Sequence, residues 1–340
     1  MPKNYTNSIL LVDFSYLVFH KFFSLRIWYN KAYPDNNHPD DYDWLSDTIF
    51  IEKYKKLFFT KILNICKKRH IDPKNIIFSI DSKCSNLWRT QLDSSYKATR
   101  KESHKKSKFY CYNIFKLAID ELLPEFAKKY GNKIIKVDGC EADDIIAQIA
   151  IYLNSNNEQN SNYNNDNNQI LDNNNLSNNI ELNQSKNKYI FIVANDSDYI
   201  QICSDKIFLI DVNNNNLNNK YLSLTFNNSH YLLSKILAGD TSDNINTCYI
   251  NTKFLNDNGI NHKFKFEYIK CSKKLAISIV NNIQTYIYFW NLINQGRDNF
   301  NNCKCPIIKN EQFENNLRMI DFKMLPIDYK NQIINSYLSN

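Results

Sequence analysis

Val137-Asp138-Gly139-Cys140-Glu141-Ala142-Asp143-Asp144 runs directly into the apolar positions Ile145, Ile146, Ile149, Ala150 and Leu153. That spacing makes one buried helical stripe, so the sequence predicts a helix starting near Glu141. Acids in a first helical turn meet the positive end of the helix dipole, gaining roughly 0.3–1 kcal/mol each. One or two would serve that purpose. Glu141, Asp143 and Asp144 crowd together instead, and like charges about 4 Å apart repel by roughly 4 kcal/mol at an effective dielectric near 20. Helix capping and a cation site both remain open for this stretch taken by itself.

Outward from it, short apolar runs repeatedly end on acids. Ile9-Leu10-Leu11-Val12 ends on Asp13, and Ile76-Ile77-Phe78-Ser79-Ile80 ends on Asp81. Tyr189 to Ala194 leads into Asn195-Asp196-Ser197-Asp198, Lys133 to Val137 leads into the opening stretch, and Ile207 to Val212 is a fifth run. Runs without polar alternation fit strands covered on both faces. Helical patterns lie between them at 14–29, from Trp44 to about His70, and at 111–130. The sequence therefore predicts an α/β fold with a mostly parallel central sheet flanked by helices, whose ligands belong at the carboxyl ends of the strands. One rim would gather Asp13, Asp81, Glu141, Asp143, Asp144, Asp196 and Asp198, joined by Asp240 and Asp243 from Gly239-Asp240-Thr241-Ser242-Asp243-Asn244. All-oxygen donors of this kind suit Mg²⁺ or Mn²⁺ rather than zinc.

Residues 82–112 carry Lys83, Arg89, Lys97, Arg100, Lys101, Lys105, Lys106 and Lys108, interleaved with Trp88, Tyr96, Phe109 and Tyr110. A solvated basic helix would look like this. So would a surface for single-stranded nucleic acid, through phosphate pairing and base stacking. Beside an acidic rim, the expected chemistry is phosphodiester hydrolysis assisted by two metal ions. Residues 154–187 are almost all Asn, Ser, Gln and Asp, which predicts a disordered surface insertion. The remainder, 245–340, reads as mainly helical, with a basic patch at Lys263, Lys265, Lys270, Lys273 and Lys274. The 340 residues are 43% hydrophobic with a formal charge of +7, a modest excess that matters where it is clustered. Asp13 interrupts the first apolar run, and no run approaches about 18 apolar residues. With nine cysteines, these features predict an intracellular protein with reduced thiols and no membrane span.

Taken in order, Val12-Asp13, Ile80-Asp81, Tyr96-Lys97-x-x-Arg100, Glu141-Ala142-Asp143-Asp144, Asp196-Ser197-Asp198 and Gly239-Asp240-x-x-Asp243-Asn244-Ile245 resemble the structure-specific 5′ nuclease superfamily of flap endonucleases and 5′–3′ exonucleases. Trp88-Arg89 and Met319-Ile320-Asp321-Phe322 look most like the T-even phage ribonuclease H branch. The resemblance implies a catalytic domain over 1–244, with a helical arch at about 82–112, and a helical DNA-binding region over 245–340. It implies two Mg²⁺ ions, replaceable by Mn²⁺: Asp13, Asp81, Asp143 and Asp196 at the first with Glu141 adjacent, and Asp198, Asp240 and Asp243 at the second. Asp144 matches the motif as well. Lys97 and Arg100 would meet the scissile phosphate, Tyr96 would stack on the terminal base, and Arg89 and Lys101 would hold backbone phosphates. The implied activity is that of a 5′–3′ exonuclease and flap endonuclease with ribonuclease H-like action, a monomer removing RNA primers or 5′ flaps in replication or repair. Its implied partners are branched or nicked DNA, RNA–DNA hybrids and replication proteins such as a single-strand-binding protein or sliding clamp. Asn246-Thr247-Cys248-Tyr249-Ile250 departs from the superfamily's glycine-rich helix–turn–helix.

Overall fold

The computed structural model describes residues 7–34, 38, 42–82, 86–100, 112–162, 189–223, 225, 227–260, 266–295 and 310–339. Five strands form one sheet: β1 (Ile9–Asp13), β2 (Ile76–Ser79), β3 (Lys133–Ile135), β4 (Ile190–Val193) and β5 (Ile207–Ile210). Their order is β3-β2-β1-β4-β5, and every pairing is parallel. Side chains of a strand alternate between faces. Leu10, Val12, Phe78, Phe191 and Val193 accordingly join one core, while Ile9, Leu11, Ile77, Ile190 and Ile192 join another. Both faces are buried, and that is why the strands read as unbroken apolar runs.

Helices Phe14–Ala32, Thr48–Leu57 and Thr60–Arg69, with the segment 112–130, cover the first face. Helices Ala142–Asn162 and Ile327–Ser339 cover the second. A third core, including Leu233, Ile236, Ile250, Ile279, Phe289 and Phe313, holds the C-terminal part together and takes in Leu87 and Tyr96. Cys66, Cys140, Cys203, Cys248 and Cys271 are buried free thiols.

Four details differ from the sequence expectation. The helix expected from Trp44 to His70 breaks at Phe58–Phe59, where Phe58 packs 5.8 Å from Phe14 and Phe59 stacks 3.9 Å from Phe126. The 111–130 helix widens to a π turn at Ala118–Leu122, which ends two residues before Pro124, whose ring and missing N–H disfavour a regular turn there. The helix from Ala142 continues to Asn162, so the Asn-rich tract begins helical. A two-stranded antiparallel ribbon, β6 (Tyr249–Asn251) and β7 (Tyr268–Lys270), stands in the mainly helical C-terminal part. Lys83, Lys101, Lys105, Lys106, Lys108, Phe109, Tyr110, Lys263, Lys265 and the insertion from 163 onward lie outside the described residues.

Candidate active site

Parallel pairing in the order β2-β1-β4 sets the ends of three strands side by side, about 4.8 Å apart. Asp13 closes β1 and caps the helix that follows, accepting the Tyr16 N–H at 2.9 Å. Asp81, just past β2, accepts the Ala142 N–H at 2.8 Å and the Ser15 hydroxyl, so it ties the starts of two helices together. Asp196, past β4, caps the 3₁₀ turn Ser197–Ile202 by accepting the Asp198 N–H at 2.9 Å. A cavity of about 480 Å³ is lined by Asp13, Asp81, Glu141, Asp143 and Asp196, with Tyr96, Lys97 and Arg100 on its wall.

This rim is electrostatically strained. Burial, then Asp81 and Asp196, push the Asp13 carboxyl up to about 7. Burial, then Asp144 and Glu141, hold Asp143 well above the usual carboxylate range. Asp196 is pushed up to about 6, by its surroundings first and then by Asp198. Glu141 goes the other way. Burial opposes its ionisation, but Lys97 and Arg89 outweigh it and hold the carboxyl below its ordinary value.

The second acidic group lies beside the first. Asp240 accepts the Ser242 N–H at 2.9 Å and its hydroxyl at 2.7 Å, within a loop closed by Asp240 N–H to Ile245 O (2.9 Å) and the reverse bond (2.8 Å). Gly239 makes that loop possible at φ +68°, since a Cβ there would sit 2.5 Å from the Ile245 and Asn246 carbonyl oxygens. Asp243 receives Lys97 Nζ at 3.7 Å and the Arg100 guanidinium. The Lys97 backbone N–H also donates to the Asp243 carbonyl at 3.0 Å, which anchors the basic segment on the acidic loop.

Three expected site residues are held by partners inside the fold. Arg89, expected on backbone phosphates, is 2% exposed. It donates to Asp144 through both terminal nitrogens (2.9 and 2.8 Å), to Glu141 at 3.1 Å and to the Met319 carbonyl at 2.8 Å. Asp144, expected as a metal ligand, is fully buried; both its oxygens are occupied by Arg89, and one also accepts the Trp88 indole N–H at 2.9 Å. Oxygens of Glu141, Asp143 and Asp144 still fall within 4.8 Å of one another, but Arg89 already compensates the inner pair. Tyr96, expected to stack on a base, is buried and donates its hydroxyl to Glu141 at 2.7 Å. The basic–aromatic pattern cannot distinguish a buried counter-ion from an exposed phosphate contact. Lys235 was not anticipated: its ammonium bridges Asp198 and Asp240, at 3.0 Å from the latter. Its one available signal is position, on the last turns of the helix that delivers Gly239 and Asp240.

Residues 8–175 match the family model of the 5′-3′ exonuclease N-terminal, resolvase-like domain. That match supports the 5′ nuclease superfamily for this chain. Among solved structures it is similar to a bacteriophage T5 protein co-crystallised with metal ions, at 14% identity, 98% coverage of each chain and a TM-score of 0.53. The T5 5′-exonuclease with bound divalent zinc gives 13%, 98% of each chain and 0.54. The T5 flap endonuclease in a pseudo-enzyme–product complex with DNA and metal ions gives 13%, 98% of each chain and 0.51. At such identities these likenesses establish the resolvase-like 5′ nuclease fold. No curated protein matches the chain. The family match supports a nuclease, and the acidic cluster supports a metal-binding site.

Proposed function

We propose that the chain is a 5′–3′ nuclease using Mg²⁺ or Mn²⁺ to hydrolyse phosphodiesters in flap, nicked or RNA–DNA hybrid substrates, removing RNA primers or 5′ flaps in replication or repair. The observation that carries this is the convergence of Asp13, Asp81, Glu141, Asp143 and Asp196 on one cavity with Lys97 and Arg100 at its wall. A divalent cation fits this donor set. The oxygens are hard ligands, and Asp13, Asp143 and Asp196 carry raised proton affinities, caused first by burial and then by the neighbouring carboxylates. Asp13, Asp81, Asp143 and Asp196 would hold one ion, and Asp198, Asp240 and Asp243 a second once Lys235 yields. Bound there, the ions would activate a water and offset charge on the leaving oxygen.

The chain's own residues do the positioning. Lys97, gripped by Glu141 and Asp243 at φ +55°, and Arg100, lying against Asp243, would present positive charge to the phosphate as its oxygens gain charge. Arg89 pairs with Asp144 and with one oxygen of Glu141 behind the cavity, and Lys97 and Arg89 together hold the Glu141 carboxyl below its ordinary value. We assign catalysis to residues 1–244 and duplex binding to residues 245–340, in a chain acting as a monomer. A 5′-labelled flap, a nicked duplex and an RNA–DNA hybrid, each with Mg²⁺ and with EDTA, test this reading. Cleavage from the 5′ side in Mg²⁺ and none in EDTA is the expected result. Failure to cut any of the three, or equal cutting in EDTA, contradicts it.

A further inference from the structure

Lys21 lies on the core-facing side of the helix Phe14–Ala32 and is 8% exposed. No carboxylate or hydrogen-bond acceptor among the described residues pairs with its ammonium. A largely buried ammonium without a partner gives up hydration that a bound anion would replace. Lys21 Nζ is not among the sealed, partnerless side-chain atoms, so its tip still meets solvent.

Its neighbours are also basic. Lys61, from the helix Thr60–Arg69, and His20 lie close enough to interact electrostatically with it, and Lys61 spends a hydrogen bond on the neutral Asn213 amide. Asp211 is the acid facing His20, but it is occupied by its own turn, accepting Asn213 N–H at 2.8 Å, Asn215 N–H at 2.8 Å and Asn215 Nδ2 at 2.9 Å. Burial, then Lys61, lower the Lys21 ammonium to about 8. His20 connects the cluster to the cavity, since its ring is 6.0 Å from that of Tyr16, a lining residue, while Lys21 lies outside the lining, about 12 Å along the helix from Asp13 at 1.5 Å per residue.

We propose that Lys21, with Lys61 and His20, is a phosphate site for the nucleic-acid strand passing the cavity beside Tyr16. This rests on the nuclease reading and adds a contact with the backbone beyond the cleaved bond. It makes an opposed prediction for Lys21→Met, which keeps the side chain's length and removes its charge. The free variant melts at or above the wild-type temperature, while its affinity for a 5′-flap DNA in EDTA falls about 5–10-fold. The slope of log K against log salt becomes shallower by about one. Lys61→Met shows the same binding defect more weakly, and Lys21→Arg restores wild-type binding. A Lys21→Met protein that melts lower or fails to fold overturns the inference, since the charge would then be part of the scaffold. Wild-type affinity and slope in Lys21→Met overturn it while the nuclease reading stands. A wild type that binds no nucleic acid overturns both.

Discussion

Replacing Arg89 by alanine separates a buried counter-ion from a surface phosphate contact. In the fold Arg89 is 2% exposed, and its guanidinium satisfies both oxygens of the fully buried Asp144, one oxygen of Glu141 and the Met319 carbonyl. Its removal leaves Asp144 with the Trp88 indole and the long 3.3 Å contact from the Glu141 N–H. Glu141 keeps Tyr96 and Lys97. Breaking a buried pair from one side costs about 3–5 kcal/mol, because the remaining charge is stranded. Against a typical total of about 5–15 kcal/mol that is a large fraction, and it corresponds to a Tm loss of roughly 4–7 °C for a chain of this size. Asp144→Asn added to Arg89→Ala should recover part of the loss, since it removes the stranded charge. Thermal and urea melts in EDTA measure this. If Arg89→Ala melts within about 2 °C of wild type while losing DNA affinity, Arg89 meets phosphate and the buried ion-pair argument fails.

Gly239→Ala should cost more than about 2 kcal/mol and sharply reduce cleavage, because φ +68° and the 2.5 Å approach to two carbonyls exclude a side chain in the loop that presents Asp240 and Asp243; a wild-type melt would refute this. Lys97→Ala should lower the cleavage rate by 100-fold or more with little change in DNA affinity, as expected for a cation acting on developing charge; an affinity loss that accounts for the rate loss would refute that role. In EDTA, unfolding free energy should fall as pH rises from 5 to 7. Asp13 and Asp196 have folded values raised to about 7 and about 6, so the folded state binds more protons across that window and the stability from their protonation is lost as pH increases. Mg²⁺ should remove this fall, and stability rising with pH in EDTA would contradict it.

The sheet was legible because its strands are buried on both faces. Ile9–Val12, Ile76–Phe78 and Ile190–Val193 carry an unbroken apolar signature, and their terminal acids announce the carboxyl rim. What stayed hidden depends on contacts distant in sequence. Nothing near Arg89 reveals that Asp144 lies across from it, or that Met319 closes over its guanidinium. The same basic–aromatic composition describes a surface track and a buried network, and only burial decides between them. Lys235 escaped notice for a similar reason: its partner Asp198 belongs to the turn after β4, far away in the chain. The Phe58–Phe59 break follows from where two rings find partners, Phe14 and Phe126, which a helical periodicity cannot express.

The most direct test of the central claim is single-turnover cleavage of a 5′-labelled flap DNA by wild type and by Asp143→Asn, each in Mg²⁺ and in EDTA, with binding followed on the same samples. Asp143 lines the cavity, and burial, then Asp144 and Glu141, raise its carboxyl well above the ordinary range, so a bound cation would offset charge that the site leaves crowded. Wild type should cleave in Mg²⁺ and not in EDTA, and Asp143→Asn should lose about 1,000-fold or more in rate with flap binding retained. Cleavage by Asp143→Asn at the wild-type rate, or by wild type in EDTA, would contradict the claim.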